Sequence, residues 1–379
     1  MRMHRTWIEI DEQALISNIK TLRSMSEGAR FCAVVKANAY GHGLKEIAHI
    51  ASRASVQAFA VDRLEDALTL RELFPSALIV LIGYLLFEDY AEAIHHQIEF
   101  TLYDREGVVH AEKIAAATAS QARVHLKIET GTSRQGVLME HLTDLLLEMK
   151  RSSHIHLSGV STHFANIEDT ANPEYASLQF TRFSEAIEIV RTCGFDPEFV
   201  HCACSAAILL YPDTHGSLVR SGIALYGIWP SEAIEDTIRK QNISCDLRPV
   251  LRWKTRIAQI KSFPTGTPIG YGLTERLKQR SRIAVLPVGY WDGYDRHLSS
   301  VGEVLVSGHR CKVMGRVCMN MMMIDVSAVP NVEKEQVVTL LGVDGRHEIT
   351  AHEIAKKVST IPYEIVTRIN PQLPRVIVG

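Results

Sequence analysis

The sequence predicts an α/β protein, an N-terminal (β/α)8 barrel followed by a mostly β C-terminal domain, on three observations. Eight short apolar runs rich in Val, Ile and Phe recur over roughly the first 225 residues, with helix-length segments between them. Past about residue 240 the rhythm changes to strand-like segments broken by Gly and Pro, with little helix between them. The chain is 379 residues long, more than one ordinary small domain needs, so two domains are the natural division.

The eight runs are 31–36, 58–61, 78–83, 100–103, 124–128, 157–163, 199–204 and a short one at 218–220. After Asp11, a fitting N-cap, Leu15, Ile19 and Leu22 fall on one helical face. Between 173 and 193, Ala176, Phe180, Phe183, Ile187 and Val190 stand at three- and four-residue steps. Pro173 suits the first turn of that helix, and Gly194 its stop. The later strands are expected at 250–260, 282–288, 302–306, 312–317, 321–326 and 336–341, with one short helix at 351–358. The expected domains are therefore 1–240 and 241–379, with residues 1–10 joining the β domain.

Composition narrows the function. Hydrophobic residues make up 46% and charged residues 22%, the balance of a soluble globular protein. With 41 basic against 43 acidic residues the formal net charge is −2, which gives no electrostatic reason to expect nucleic acid or a membrane surface as partner. No apolar stretch is long enough to span a bilayer, and the N-terminus lacks the apolar core of a signal peptide. The seven cysteines are scattered without a CxxC pair, so neither a metal site nor a disulfide framework is expected. Reduced thiols in the cytoplasm are the plain expectation.

Catalytic groups of barrel enzymes sit at the C-terminal ends of strands. Lys36 closes the run Phe-Cys-Ala-Val-Val-Lys and leads into Ala-Asn-Ala-Tyr-Gly-His-Gly at 37–43. A buried ammonium is expensive to desolvate, and the same desolvation lowers its pKa and makes it an amine nucleophile suited to a Schiff base. Taken alone, the position equally suits a lysine snorkelling at a strand end.

The neighbours decide. Ala33-Val-Val-Lys-Ala-Asn-Ala-Tyr-Gly-His-Gly43 closely resembles the pyridoxal-phosphate attachment motif of alanine racemases, and the resemblance extends through nearly the whole chain. It implies racemisation of a small amino acid, L- and D-alanine, by two-base proton exchange at Cα, with pyridoxal 5'-phosphate held by Lys36. It also implies a homodimer with shared active sites and a supply of D-alanine to the cell wall, for peptidoglycan.

The resemblance assigns the remaining site residue by residue. Arg220, in Gly-Ser-Leu-Val-Arg-Ser-Gly-Ile, matches the arginine facing the cofactor's pyridine nitrogen; an always-protonated guanidinium leaves that ring a weaker electron sink, which suits clean proton exchange. Read without the resemblance, Arg220 is also compatible with a surface ion pair. Gly222 and Ile223 match a pair of backbone donors to the phosphate, Ser205 a phosphate-contacting serine, and Tyr363 and Tyr40 two phosphate-contacting tyrosines. Either tyrosine alone would more often be core packing. Tyr271, in Pro-Ile-Gly-Tyr-Gly-Leu-Thr, matches the second catalytic base, contributed by the partner subunit, and His163 the histidine that hydrogen-bonds it, with Arg220 adjoining. Lys127 and Arg134 match a lysine that is often carbamylated and an arginine it holds near the substrate carboxylate. Met319 matches a backbone donor to the substrate, and Tyr290 and Arg316 residues of the entrance.

Several positions depart from the family pattern. Asn320, Trp291, Cys204, Ser221, Glu129 and the pair Thr132-Ser133 stand where other residues are usual, and they leave room for serine or another small amino acid as substrate. A decarboxylase of the same cofactor fold would carry an acidic partner for the pyridine nitrogen, against Arg220. A non-catalytic pyridoxal-phosphate-binding protein would need neither the second domain nor Tyr271.

Overall fold

The computed structural model describes residues 4–379, so the first three residues of the segment expected to join the β domain lie outside the described residues. Two compact units form. One holds Ile16–Ala37 and Ala48–Leu247; the other holds the chain up to Leu15 with Asn38–Ile47 and Arg248–Gly379.

The strands in chain order are β1 Thr6–Asp11, β2 Arg30–Val34, β3 Ala58–Val61, β4 Leu78–Leu81, β5 Glu99–Leu102, β6 Ala122–Lys127, β7 Ile155–Ser161, β8 Phe199–His201 and β9 Leu218–Ser221. They continue with β10 Leu251–Arg256, β11 Gln259–Phe263, β12 Pro268–Ile269, β13 Glu275–Arg276, β14 Ser281–Leu286, β15 Glu303–Val306, β16 His309–Met314, β17 Met322–Asp325, β18 Val337–Asp344, β19 His347–Ile349 and β20 Arg375–Val378.

In the first unit, eight parallel strands follow one another in the order β8-β7-β6-β5-β4-β3-β2-β9. The ring closes between β8 and β9, where Ser217 N–H donates to the Val200 carbonyl and Arg220 N–H to the Ala203 carbonyl, each at 3.0 Å. This is the (β/α)8 barrel that the sequence predicts. Its strands read as apolar runs because helices cover one face and interdigitated side chains fill the other; β3, β4, β5 and β9 are buried at every residue. The first helix starts where its cap predicts, and the helix expected from Pro173 begins at Glu174, with Pro173 just before it. α1 spans Glu12–Ser24, and Asp11 Oδ1 accepts the Ala14 N–H at 2.9 Å.

In the second unit the strand order is β11-β14-β17-β16-β15-β18-β10-β1-β20, with β19 on β18 and a separate hairpin of β12 and β13. Here β1 runs antiparallel to β10 and parallel to β20. Two short helices stand between β19 and β20, α2 Ala351–Val358 and α3 Pro362–Thr367. The sequence reading has only the first. The second is six residues opened by Pro362, too short for an amphipathic pattern to register. No helix among the described residues is long and apolar enough to cross a membrane.

Candidate active site

The parallel strands deliver chemistry at their C-terminal ends. Lys127 is the last residue of β6, His163 lies two residues past β7, Ser205 follows β8 and Arg220 lies in β9. Lys36 lies two residues past β2, not within it as the sequence suggests; the ladder ends and the backbone turns left-handed immediately after it.

These groups feel one another. Burial first, then the charges of Arg220 and Arg134, bring Lys127 down to about 7, with Glu129 pulling the other way and Lys36 adding to the fall. Burial and the same cations, led by Arg220 and Lys127, hold His163 well below the usual imidazole range. Four cationic side chains around a neutral imidazole make a local anion-seeking site in a chain whose net charge is near zero.

Arg220 is the best-defined member. Its Nη1 donates to His201 Nδ1 and, at 2.9 Å, to the His201 carbonyl. Its Nη2 donates to the carbonyls of Thr162 at 2.9 Å and Cys202 at 3.4 Å. A guanidinium has five N–H donors. Four are engaged by these acceptors, and Nε–H has no partner among the described residues. The fixed partner of Arg220 is therefore His201; His163 adjoins it by charge, without a hydrogen bond.

Donors also converge after the seventh and eighth barrel strands, where such folds commonly bind phosphate. Gly222 N–H and Ala224 N–H both point at Ser205 Oγ, at 3.0 and 3.2 Å. Beside them Ser221 Oγ, fully buried, has no partner among the described residues. Gly222 and Ala224 are thus the backbone donors to Ser205, and Ile223, which the sequence reading pairs with Gly222, is buried between them. The backbone donors that converge on Ser205 and the unengaged Nε–H of Arg220 fit a ligand that carries a phosphate and a ring nitrogen.

Past β6, Glu129 organises the loop that carries Arg134. Its Oε1 accepts the Gly131 and Thr132 N–H groups, each at 2.6 Å, and its Oε2 accepts the Arg134 N–H at 3.1 Å. Burial pushes this carboxyl up, and the backbone N–H groups of the loop, Ser133 first and then Arg134, Gly131 and Thr132, pull it below the usual carboxylate range. Arg134 itself is exposed.

In the second unit, Tyr40 and Tyr363 come together with ring centroids 6.2 Å apart. The cause is a left-handed turn in which Ala37, Asn38, Ala39 and Tyr40 all have φ between 52° and 54°. This conformation costs roughly 1 kcal/mol or more per non-glycine residue, and several contacts hold it. Gly43 N–H donates to the Asn38 carbonyl at 2.9 Å, Leu44 N–H to Asn38 Oδ1 at 3.0 Å, and Arg375 Nη2 to the Gly41 carbonyl at 2.8 Å.

A cleft of the same unit is lined by Tyr271, Tyr290, Arg316, Met319 and Asn320. Tyr271 stands at the tip of the β12–β13 hairpin, between Gly270 and Gly272 at φ 74° and 71°, and is 73% exposed. Three residues of the barrel unit escape the sequence reading altogether: Glu99, His125 and His201, which extend the hydrogen bonding of Arg220 across the barrel. Their one signal is a polar residue inside an apolar strand. His125 and Lys127 share a face of β6 by two-residue alternation. Among the described residues no cluster of His, Cys, Asp or Glu is arranged to hold a metal ion.

Comparison with known proteins bears on the whole chain. A family model described as the N-terminal domain of alanine racemase matches residues 10–230, and the corresponding C-terminal-domain model matches 250–377. An alanine racemase of Leptospira interrogans is 35% identical over 378 residues, covering 99% of this chain and 96% of the relative. The crystal structure of alanine racemase from D-cycloserine-producing Streptomyces lavendulae superposes with a TM-score of 0.93 at 31% identity, covering 100% of this chain and 98% of the other. A histidine racemase from Leuconostoc mesenteroides also matches, with a TM-score of 0.90 at 27% identity over 100% of this chain and 99% of the other.

Proposed function

The chain belongs to the alanine racemase family of isomerases, and from that membership we propose that it interconverts L- and D-alanine with pyridoxal 5'-phosphate as cofactor. The observation that carries the cofactor reading is Arg220, whose one unengaged donor, Nε–H, lies in the same barrel end as Lys36 and the donors around Ser205.

When bound, pyridoxal phosphate supplies a ring that withdraws electrons from an attached amino acid and so acidifies its Cα–H. Lys36 would carry the group through Nζ. Ser205, Gly222, Ile223, Tyr40 and Tyr363 would hold its phosphate, with Ala224 N–H joining the backbone donors. Arg220 would donate Nε–H to the ring nitrogen and, because it does not readily surrender a proton, keep that nitrogen unprotonated.

Inversion at Cα needs a proton removed from one face and another delivered to the opposite face. Lys36 Nζ would serve the D side and Tyr271 of the partner subunit the L side, in a homodimer with shared active sites. The exposure of Tyr271 at 73%, with Leu273 at 58%, Trp291 at 59% and Met319 at 55%, supports such an apolar interface on the second unit. His163, held neutral, would accept the hydrogen bond of that tyrosine. As its carbamate, Lys127 would hold Arg134; Arg134 would neutralise the substrate carboxylate and the Met319 N–H would donate to it, and Tyr290 and Arg316 would line the entrance. We place the reaction in a reducing cytoplasm, which seven free cysteines support, as a source of D-alanine for peptidoglycan.

The test is to incubate the purified protein with pyridoxal phosphate and, separately, L- and D-alanine, serine and histidine, and to follow both enantiomers by chiral chromatography. Alanine should racemise in both directions and faster than the others. Preference for serine or histidine would overturn the substrate; no racemisation of any would overturn the function.

A further inference from the structure

Behind Arg220, a line of side chains crosses the barrel interior to a single carboxylate. Arg220 Nη1 meets His201 Nδ1, His201 Nε2 meets His125 Nδ1 at 2.7 Å, and His125 Nε2 meets Glu99 Oε2 at 2.8 Å. The other oxygen, Oε1, takes Arg123 Nε at 2.7 Å. His125 is fully buried, and Glu99, His201 and Arg220 are 4%, 2% and 7% exposed, so water does not complete the chain.

The fold makes room for this line. The register of β6 against β7 shifts between Val124 and His125, an irregularity that re-aims the side chain that follows. Gly159 lies beneath the ring, where a β-carbon would stand 2.3 Å from His125 Nδ1, the atom that meets His201. The ring of Phe199 lies parallel to that of His125, at 5.9 Å between centroids.

The two ends of the line dictate its direction. A guanidinium can only donate and an ionised carboxylate can only accept. Burial pushes Glu99 up, but its contacts with His125 and Arg123 outweigh burial and leave it at about 2, so it is ionised. His125 must then give its Nε2 proton to Glu99, and His201 Nδ1 must accept from Arg220. The remaining gap holds one proton, on His201 Nε2, aimed at His125 Nδ1. Three gaps hold three protons, and a fourth would set donor against donor. Both imidazoles are thereby kept neutral in one tautomer. Burial, then Arg220, His125 and Lys127, also hold His201 well below the usual imidazole range. Arg123 and Arg71 face the carboxylate end, and Lys127, His163 and the thiols of Cys32, Cys202 and Cys204 face the guanidinium end.

We propose that Glu99 is a positioning residue for the reaction: through His125 and His201 it compels His201 to present only an acceptor to Arg220, which fixes the guanidinium with Nε–H as its outward donor. The proposal rests on the reading of Arg220 as partner of the cofactor's ring nitrogen. A glutamine at 99 keeps the size but can donate as well as accept, so it permits the reversed line. His201 Nδ1–H would then face Arg220 Nη1, and the guanidinium would turn away.

Nuclear magnetic resonance of the apoprotein with 15N-labelled histidine tests the line without cofactor. Wild type should show His125 and His201 neutral with the proton on Nε2, and Glu99→Gln should mix in the Nδ1–H form, whereas Arg123→Leu should leave both as in wild type. A positively charged ring, or Nδ1–H on either ring, in wild type overturns the proposal. In the loaded protein, Glu99→Gln should lower kcat about tenfold with KM for alanine changed less than twofold, and should shift the pH titration of the bound cofactor's visible band. Wild-type kcat and an unshifted band in that variant, despite mixed tautomers, also overturn it. A wild-type protein that shows the expected tautomers but racemises nothing refutes the proposed function instead, and the line of hydrogen bonds survives as structure.

Discussion

Gly41 lies so close to Val366 that a β-carbon at residue 41 would stand 1.9 Å from the Val366 carbonyl oxygen. The glycine itself has φ +82°, and the contact seats the left-handed turn bearing Tyr40 on α3, which bears Tyr363. Gly41→Ala must therefore move backbone against backbone and also adopt a disfavoured φ. A loss of about 2–4 kcal/mol is expected, combining the conformational cost with overpacking. Thermal unfolding should register it, and the Kd for pyridoxal phosphate should rise along with it because the two tyrosines part. An alanine variant with unchanged melting and unchanged cofactor affinity would contradict the assignment of this turn.

Glu129 gathers three backbone N–H groups with one carboxylate, and one of them belongs to Arg134. In Glu129→Gln one acceptor oxygen becomes an NH2 donor, so at least one of those donors loses its partner. The local cost is about 1–3 kcal/mol, borne by the loop rather than by the barrel. If Arg134 neutralises the substrate carboxylate, KM for alanine should rise about tenfold and kcat should change by less than threefold. Steady-state kinetics decide it, and a fall in kcat alone would remove the loop from substrate binding.

How much was legible in the sequence follows from which interactions were local. The barrel strands declare themselves because a strand buried on both faces must be apolar throughout, as 58–61 and 78–81 are. The left-handed turn after Lys36 is hidden because Ala-Asn-Ala-Tyr carries no glycine at its positive-φ positions; Leu44 N–H on Asn38 Oδ1 and the distant Arg375 on the Gly41 carbonyl hold it. The Glu99–His125–His201 line is hidden for a related reason. Each member reads as an isolated polar residue in its own strand, and only the folded sheet sets β5 beside β6 and brings β8 within reach across Gly159 of β7. The exposed tip at Tyr271 could be matched to a motif, but its partner surface belongs to no segment of sequence.

Tyr271 is 73% exposed and its hydroxyl has no partner among the described residues, so Tyr271→Phe should unfold within about 0.5 kcal/mol of wild type. Its chemical effect should be far larger. Inversion should fall at least a hundredfold, while the visible band of bound pyridoxal phosphate stays. In deuterated water the variant should still exchange the Cα hydrogen of D-alanine through Lys36 but not that of L-alanine. Equal exchange of both enantiomers, or inversion at the wild-type rate, would sink the two-base assignment.

Glu99 links the interior line to acid stability. Its carboxyl is held at about 2 in the folded protein, below an unfolded value near 4.5. A depressed acid stabilises the fold above the unfolded pKa and loses that contribution as pH falls through the folded one. The difference is worth about 3 kcal/mol at most, by the usual conversion. The stability gap between wild type and Glu99→Gln should thus be widest above pH 5 and close toward pH 2. Chemical denaturation at a series of pH values measures it; a gap independent of pH would mean that folding leaves the Glu99 carboxyl at its unfolded value, and a gap that narrows as pH rises would mean that it is neutral in the fold.

Lys127 carries the opposite sign. Its amine is held at about 7, well below the ordinary 10.5, by burial and by Arg220 and Arg134. The folded state therefore disfavours the protonated form: the penalty is complete below about pH 7 and fades as pH rises toward 10.5. A neutral amine can add to carbon dioxide, forming an N–C bond and releasing a proton, and the product is an anion amid Arg220, Arg134 and Lys36. That exchange removes a buried cation and creates a partner for Arg134 in one step. Protein equilibrated with 13C-bicarbonate should show a carbamate carbonyl resonance that strengthens from pH 6 to pH 8 and is missing in Lys127→Met. Stripping carbon dioxide at pH 8 should lower the melting temperature of wild type and leave that of Lys127→Met unchanged. A resonance that persists in the variant would assign the carbamate to another amine, and its absence from wild type would leave Glu129 alone to hold the loop of Arg134.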